Sequence, residues 1–173
     1  MIRLVFLLVA ACASPRLATH VHNDFSFHIG TWKTHVKRLL RPLTGSTSWA
    51  DYEGTTRVRP VWDGRANLVE LEVTGPQGHL ELLSLRLYDP TTAAWSLHGA
   101  SARSSAIDPA ITGTFTGGRG TFIGPDHLGD RAILVRFVIS PIDATSWRFE
   151  QAFSPDDGKT WEVNWIATDT RVD

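Results

Sequence analysis

Histidines are concentrated near the start of the chain, at positions 20, 22, 28 and 35. The pair His20 and His22 offers two imidazoles, which are common ligands of transition metals. A complete site also needs thiolates or carboxylates close by, and the neighbouring residues supply no Cys and few acids. We therefore expect no metal site.

Sequence motifs for covalent or nucleotide-dependent catalysis are missing. The chain has no Gly-x-Ser-x-Gly elbow and no phosphate-binding Gly-rich loop before a helix. An enzyme that shapes an apolar cavity around one acid or base leaves almost no trace in a sequence, so this alternative stays open. A polar residue facing the interior, at Asn67, Glu70, His98 or Arg136, would favour it, and so would a shifted pKa at those of the four that titrate.

The aromatic content is high, with seven Trp and eight Phe in 173 residues. This is more bulky aromatic surface than ordinary packing needs, which indicates that a wide interior is lined or plugged. The predicted ligand-binding residues are Trp32, Tyr52, Asn67, Trp95, Trp147, Phe149 and Trp165. The alternative is that the aromatic side chains fill the interior solidly.

The elements that must position these residues are strands. Apolar residues alternate with period two in short runs bounded by Gly, Pro, Asp or Asn, and helical periodicity is nearly absent. The predicted strands are 25–36, 48–59, 66–73, 80–88, 94–100, 111–116, 120–123, 132–139, 146–154 and 161–171. Short turns between sequential antiparallel strands predict an all-β meander of about ten strands, closed as a single barrel. A two-sheet sandwich is the alternative.

Charged residues occupy one face of several predicted strands. In strand 48–59, Asp51, Glu53 and Arg57 alternate with Tyr52 and other uncharged residues. A solvent-facing set of cross-strand charge pairs explains this pattern most simply. The alternative is that part of the charge faces the interior and holds a polar ligand.

The N-terminal segment has the layout of a secretion signal. Arg3 precedes an apolar run of eight residues, Leu4 to Ala11, which Cys12 follows; the run is too short to span a bilayer. Residues 1–13 are thus predicted to be a signal segment, 14–23 a linker and 24–173 the folded domain. Cys12 fits the lipobox of a bacterial lipoprotein, and small residues around it also fit ordinary signal peptidase. Export to the periplasm or outer membrane is expected, with a cytoplasmic location as the alternative.

The residues Gly30-Thr31-Trp32 resemble the Gly-x-Trp motif that opens the first strand of lipocalins and their calycin relatives. Residues 24–171 as a whole resemble a bacterial family of lipocalin-like proteins of unknown function. The resemblance implies a calycin barrel in which Arg171 lies across the indole of Trp32 and closes one end. Related haem-binding barrels use a late histidine, and this chain has none after His127, so no cofactor is expected.

The segment 154–161 matches the Asp-box pattern Ser-x-Asp-x-Gly-x-Thr-Trp of sialidase propellers. A propeller requires several copies in a longer chain. We interpret the single copy as a well-specified β-hairpin without a catalytic role.

These observations together predict a barrel that binds a small apolar or amphipathic molecule. A net charge of -1 without basic runs argues against nucleic acid as a partner. A lipidated Cys12 would attach the protein to a membrane. The alternatives are a pocket enzyme of the cyclase, isomerase or decarboxylase kind and a lipid-anchored envelope scaffold without ligand.

Overall fold

Ten antiparallel strands account for most of the chain. The computed structural model describes residues 24–104 and 106–172, so Cys12, the predicted signal segment and the linker lie outside the described residues. The strands are β1 (Gly30–Leu39), β2 (Trp49–Val61), β3 (Ala66–Gly75), β4 (Gly78–Asp89), β5 (Ala94–Ser101), β6 (Ile111–Thr116), β7 (Arg119–Leu128), β8 (Arg131–Pro141), β9 (Ser146–Ser154) and β10 (Glu162–Arg171).

The strands form one closed barrel in sequence order, with β1 paired to both β2 and β10. Closure pairs every strand on both sides and leaves no exposed edge. The shortest strand pairing is between β5 and β6, where the register covers only three residue pairs, beginning at Trp95 and Gly113. The predicted closed meander of ten strands is confirmed.

Side chains alternate between the interior and the solvent along each strand, as the pleat of a strand requires. In β2, Tyr52 and Val58 are buried while Glu53 and Arg57 are exposed. Arg57 pairs across the surface with Glu72 of β3 at 3.4 Å. The charged faces of these strands therefore point outward, as the simpler sequence interpretation predicted.

The first strand begins later than the sequence predicted. Alternating Phe25, Ser26, Phe27 and His28 suggested a strand from residue 25, but Ser26–His28 form a 3-10 helix, η1. Phe25 is 2% exposed and packs edge-to-face on Trp95 at 4.9 Å between ring centroids. Tertiary packing overrides the local alternation, because this segment crosses and plugs one end of the barrel.

The hairpin between β9 and β10 is held by the side chains of the Asp-box pattern. Asp156 accepts hydrogen bonds from Ser154 Oγ at 2.8 Å and from the backbone N–H of Thr160 at 2.8 Å. Trp161 donates from Nε1 to the carbonyl of Gly158 at 3.0 Å. These contacts are internal to the turn, so the motif has a structural role. Within residues 24–104 and 106–172, the structure has no helix that could span a membrane.

Candidate functional site

The interior contains a cavity of about 350 Å³. Its inner end lies next to residues 25–28, which we call the plug, because the lining residues Arg86 and Trp147 contact His28. Its walls are mainly apolar and come from most of the strands. Wall residues include Leu71, Leu82, Leu97, Val135, Phe137, Phe149 and Trp165. At the mouth lie the exposed Arg38 and Asp108 with the half-buried Asp126. The described barrel is thus plugged at one end and open at the other.

Asp169 of β10 is the carboxyl group in the cavity lining that is most deeply buried, with 0% exposure. Thr34 of β1 donates a hydrogen bond to its Oδ1, and Thr34 shares a 2.6 Å hydrogen bond with Thr56 of β2. The second oxygen, Oδ2, has no partner among the described residues. Burial raises the pKa of Asp169 to about 6, against the opposing effects of the two threonines and Arg86.

Arg86 of β4 also lines the cavity and is 4% exposed. Its Nη1 donates to Nδ1 of His28 at 2.8 Å, and the guanidinium lies 4.3 Å from the Phe25 ring centroid. Burial lowers the pKa of Arg86 to about 9, while Asp169 opposes this shift, so the group is charged at neutral pH. Its Nε has no partner among the described residues, and none of their ion pairs includes it.

His28 is a neutral base at the closed end of the barrel. Complete burial lowers its pKa well below 6.5, and the charges of Arg86 and Arg171 lower it further. Since Arg86 donates to Nδ1, the imidazole carries its proton on Nε2. The buried cation Arg86 is therefore held by a neutral acceptor rather than by a contacting carboxylate.

The closing contact implied by the Gly-x-Trp resemblance is present in the structure. Trp32 and Arg171 are register partners of β1 and β10, and the guanidinium lies 4.3 Å from the indole centroid. Arg171 also donates to the carbonyls of Phe27 and Ile29 at 3.0 and 3.2 Å. Gly30 has φ +134, and a Cβ there would lie 2.6 Å from Arg171 Nη1. Glycine is required because the backbone is left-handed and the guanidinium is close.

The predicted ligand-binding residues fall into two groups. Trp147, Phe149 and Trp165 line the cavity. The others are buried without bordering it, and they are Trp32, Tyr52, Asn67 and Trp95. Trp32 and Trp95 belong to the aromatic plug, where Trp95 donates from Nε1 to Asp24 at 3.0 Å.

The titratable groups that the structure places in the interior are not the ones that the sequence suggested for a pocket enzyme. Arg136 stacks on Trp161 at 4.5 Å in the β9–β10 hairpin, and Glu70 is exposed. His98 is half-buried and contacts Ser96 Oγ at 3.1 Å. The interior groups with shifted pKa values are Asp169, Arg86 and His28. Among the described residues no three His, Cys, Asp or Glu side chains are grouped for a metal ion.

Comparison with known proteins gives a fold and no assigned family. No protein-family model matches the chain, and no curated protein matches it in sequence, so the predicted bacterial family stays a prediction. The S-type phycobiliprotein lyase CPES from Guillardia theta is similar in structure, with a TM-score of 0.58 and 12% sequence identity. The match covers 86% of this chain and 90% of the lyase. The chain therefore shares a fold with this lyase, and the fold is the closed antiparallel barrel described above.

Proposed function

We propose that this chain binds one small amphipathic molecule inside the barrel, with the apolar part of the ligand against the cavity wall. The observation that carries the proposal is the cavity of about 350 Å³, open at one end and lined by Leu97, Phe137 and Trp165. Small-molecule sites in proteins start at roughly 300 Å³ and combine apolar walls with a few polar groups. Arg86 and Asp169 are such polar groups at the inner end.

The alternatives from the sequence receive unequal support. A scaffold without ligand requires a filled interior, and the cavity argues against it. The structural similarity to a phycobiliprotein lyase supports ligand binding inside the barrel. A pocket enzyme is the second candidate, because Asp169 has a raised pKa and an oxygen without partner in a mainly apolar surrounding. Such a carboxyl can act as a general acid or base near pH 6.

Tryptophan-fluorescence titration tests the binding function directly, because Trp147 and Trp165 line the cavity. With 1-decanol as the probe, we expect a saturable change at micromolar concentration. Ala167→Phe fills the cavity from β10 and should weaken binding by about tenfold or more, equivalent to at least ~1.4 kcal/mol. Thr170→Phe adds the same ring at an exposed position of that strand and is the matched control. Equal affinity in both variants would place the probe outside the cavity.

We also propose that the protein is exported, on the basis of Arg3, the apolar run that follows it and Cys12. The intact mass of protein from its native host should lack residues 1–11 or 1–13. If Cys12 is lipidated, Cys12→Ser should release the protein from the membrane fraction, because the acyl chains supply the anchor. Recovery of unprocessed protein with Met1 from the cytosol contradicts export.

A further inference from the structure

We propose that the inner end of the cavity binds the carboxylate of an amphipathic acid against Arg86, and that Asp169 takes up one proton when the acid binds. This inference rests on the proposed binding function and specifies the ligand class. It predicts a carrier that loads at mildly acidic pH and releases its cargo at alkaline pH. Neutral amphiphiles of the same length should show neither effect.

Arg86 is a buried guanidinium that forms no contact ion pair among the described residues. A buried cation is stable when it is paired and hydrogen-bonded. Arg86 is 4% exposed, its bond to His28 is to a neutral acceptor, and Nε lacks a partner among the described residues. Trp147, also in the lining, has an indole N–H without a partner among those residues. His28 Nε2 is a third donor without a partner among those residues, against two such acceptors, Asp169 Oδ2 and the Oδ1 of Asn67, which pairs with Arg86 across β3 and β4. Donors therefore outnumber acceptors at this end, and the complementary ligand group is an anionic acceptor.

Asp169 is the carboxyl group at the inner end of the cavity that becomes protonated when the acid binds. At neutral pH its carboxylate compensates the charge of Arg86 from beyond contact distance, as its effect on the guanidinium pKa shows. A second carboxylate would place two negative charges near one guanidinium in an apolar surrounding. Two carboxylates that share such a site cannot both ionise easily, so one of them takes a proton. Asp169 has a pKa of about 6 before a ligand arrives and is the group already closest to protonation.

The remaining polar groups near Asp169 do not take up this proton. Thr34 and Thr56 do not titrate in this range, and His28 is held neutral by burial and by two arginines. Arg171 is engaged with the carbonyls of the plug. The other acids of the cavity lie at the mouth, where partial burial and Asp126 raise the pKa of Asp108. Asp108 must therefore be tested separately.

Matched probes of one chain length separate this inference from the proposed function. We expect the dissociation constant of decanoate to rise by about tenfold per pH unit above pH 6 and that of 1-decanol to stay constant, since one bound proton gives that slope. Calorimetry at pH 7.5 in buffers of different ionisation enthalpy should count about one proton taken up per decanoate. Both measurements use the unaltered protein and do not depend on a variant that folds.

Variants then assign the two roles. Asp169→Asn should bind decanoate with a flat pH profile, because the carboxyl that titrates is gone. Arg86→Met should lose decanoate binding by at least about tenfold and keep 1-decanol binding, which also reports that it has folded. Asp108→Asn tests the alternative proton site at the mouth, and the pH dependence of decanoate binding should persist in it. Arg119→Met, at the exposed start of β7, is the matched control for Arg86→Met and should behave like the unaltered protein.

Each outcome has a distinct meaning. Binding of 1-decanol without decanoate, or a decanoate profile that is flat in the unaltered protein, overturns the inference and leaves the binding function standing. A pH profile that disappears in Asp108→Asn and persists in Asp169→Asn assigns the proton to the mouth and also overturns it. Failure of both probes to bind overturns the proposed function together with the inference.

Discussion

Replacing Trp32 with alanine is expected to lower the free energy of unfolding by about 3 to 5 kcal/mol, as for other large truncations in protein cores. The indole is 2% exposed, donates to the carbonyl of His28 at 2.8 Å, and carries the Arg171 guanidinium at 4.3 Å from its centroid. Trp147 packs edge-to-face against it at 6.3 Å. Removal of the indole leaves a cavity between residues 25–28 and β1, and this cavity lowers the stability. Urea unfolding followed by circular dichroism measures the loss.

A double-mutant cycle with Arg171→Ala tests the contact itself. Arg171→Ala alone should cost much less than Trp32→Ala, because the guanidinium is only half-buried. The coupling energy should be about 0.5 to 2 kcal/mol, the range for a guanidinium on an indole. Lys33→Ala, at the exposed position between Trp32 and Thr34, is the matched control and should add independently. Additive effects of Trp32→Ala and Arg171→Ala would contradict the closing contact.

Replacing Asp169 with asparagine is expected to stabilise the protein at pH 8 by about 3 kcal/mol and to change little at pH 4. The pKa of this carboxyl is about 6 in the folded chain and 3.8 when unperturbed. The folded state thus binds the proton more tightly, and the associated stability is complete below pH 3.8 and is lost as the pH rises through 6. Asparagine avoids the buried charge and can still accept from Thr34.

Unfolding of both proteins by urea at pH 4 and pH 8 measures this difference. His28 has the opposite dependence, because its lowered pKa gives stability that is lost as the pH falls below 6.5. It is present in both proteins, so it cancels when they are compared. Asp63→Asn in the exposed β2–β3 turn is the matched control. The same stability difference at both pH values would show that the carboxyl does not titrate as a buried group.

The strands were predictable from the sequence, and in several of them the alternation also separated an apolar face from a charged one, although it did not show which face lines the interior. In β9, Trp147 and Phe149 alternate with Arg148 and Glu150, and the structure places the first two inside. The start of β1 was mispredicted because Phe25 is buried by aromatic residues far away in sequence. Local periodicity carries no information about a segment that turns across the end of a barrel.

The polar groups of the candidate site differ in how visible they are in the sequence. Asp169 has the same parity in β10 as Trp165 and Ala167, so the alternation was a usable signal for an inward carboxyl. Arg86 gave no such signal, because leucines occupy both faces of β4 around it. The pairing of Arg86 with His28 depends on the plug, which joins residues 58 positions apart. Such a contact follows from the tertiary fold alone.

The position of a bound ligand decides whether the interior of the barrel is a binding site. A crystal structure with 10-bromodecanoate, read from the anomalous signal of bromine, shows where the molecule lies. We expect one molecule inside the barrel, with its chain between Leu97, Phe137 and Trp165 and the bromine toward the mouth. A ligand bound only on the outer surface of the barrel, with an empty interior, would show that the cavity is not the binding site.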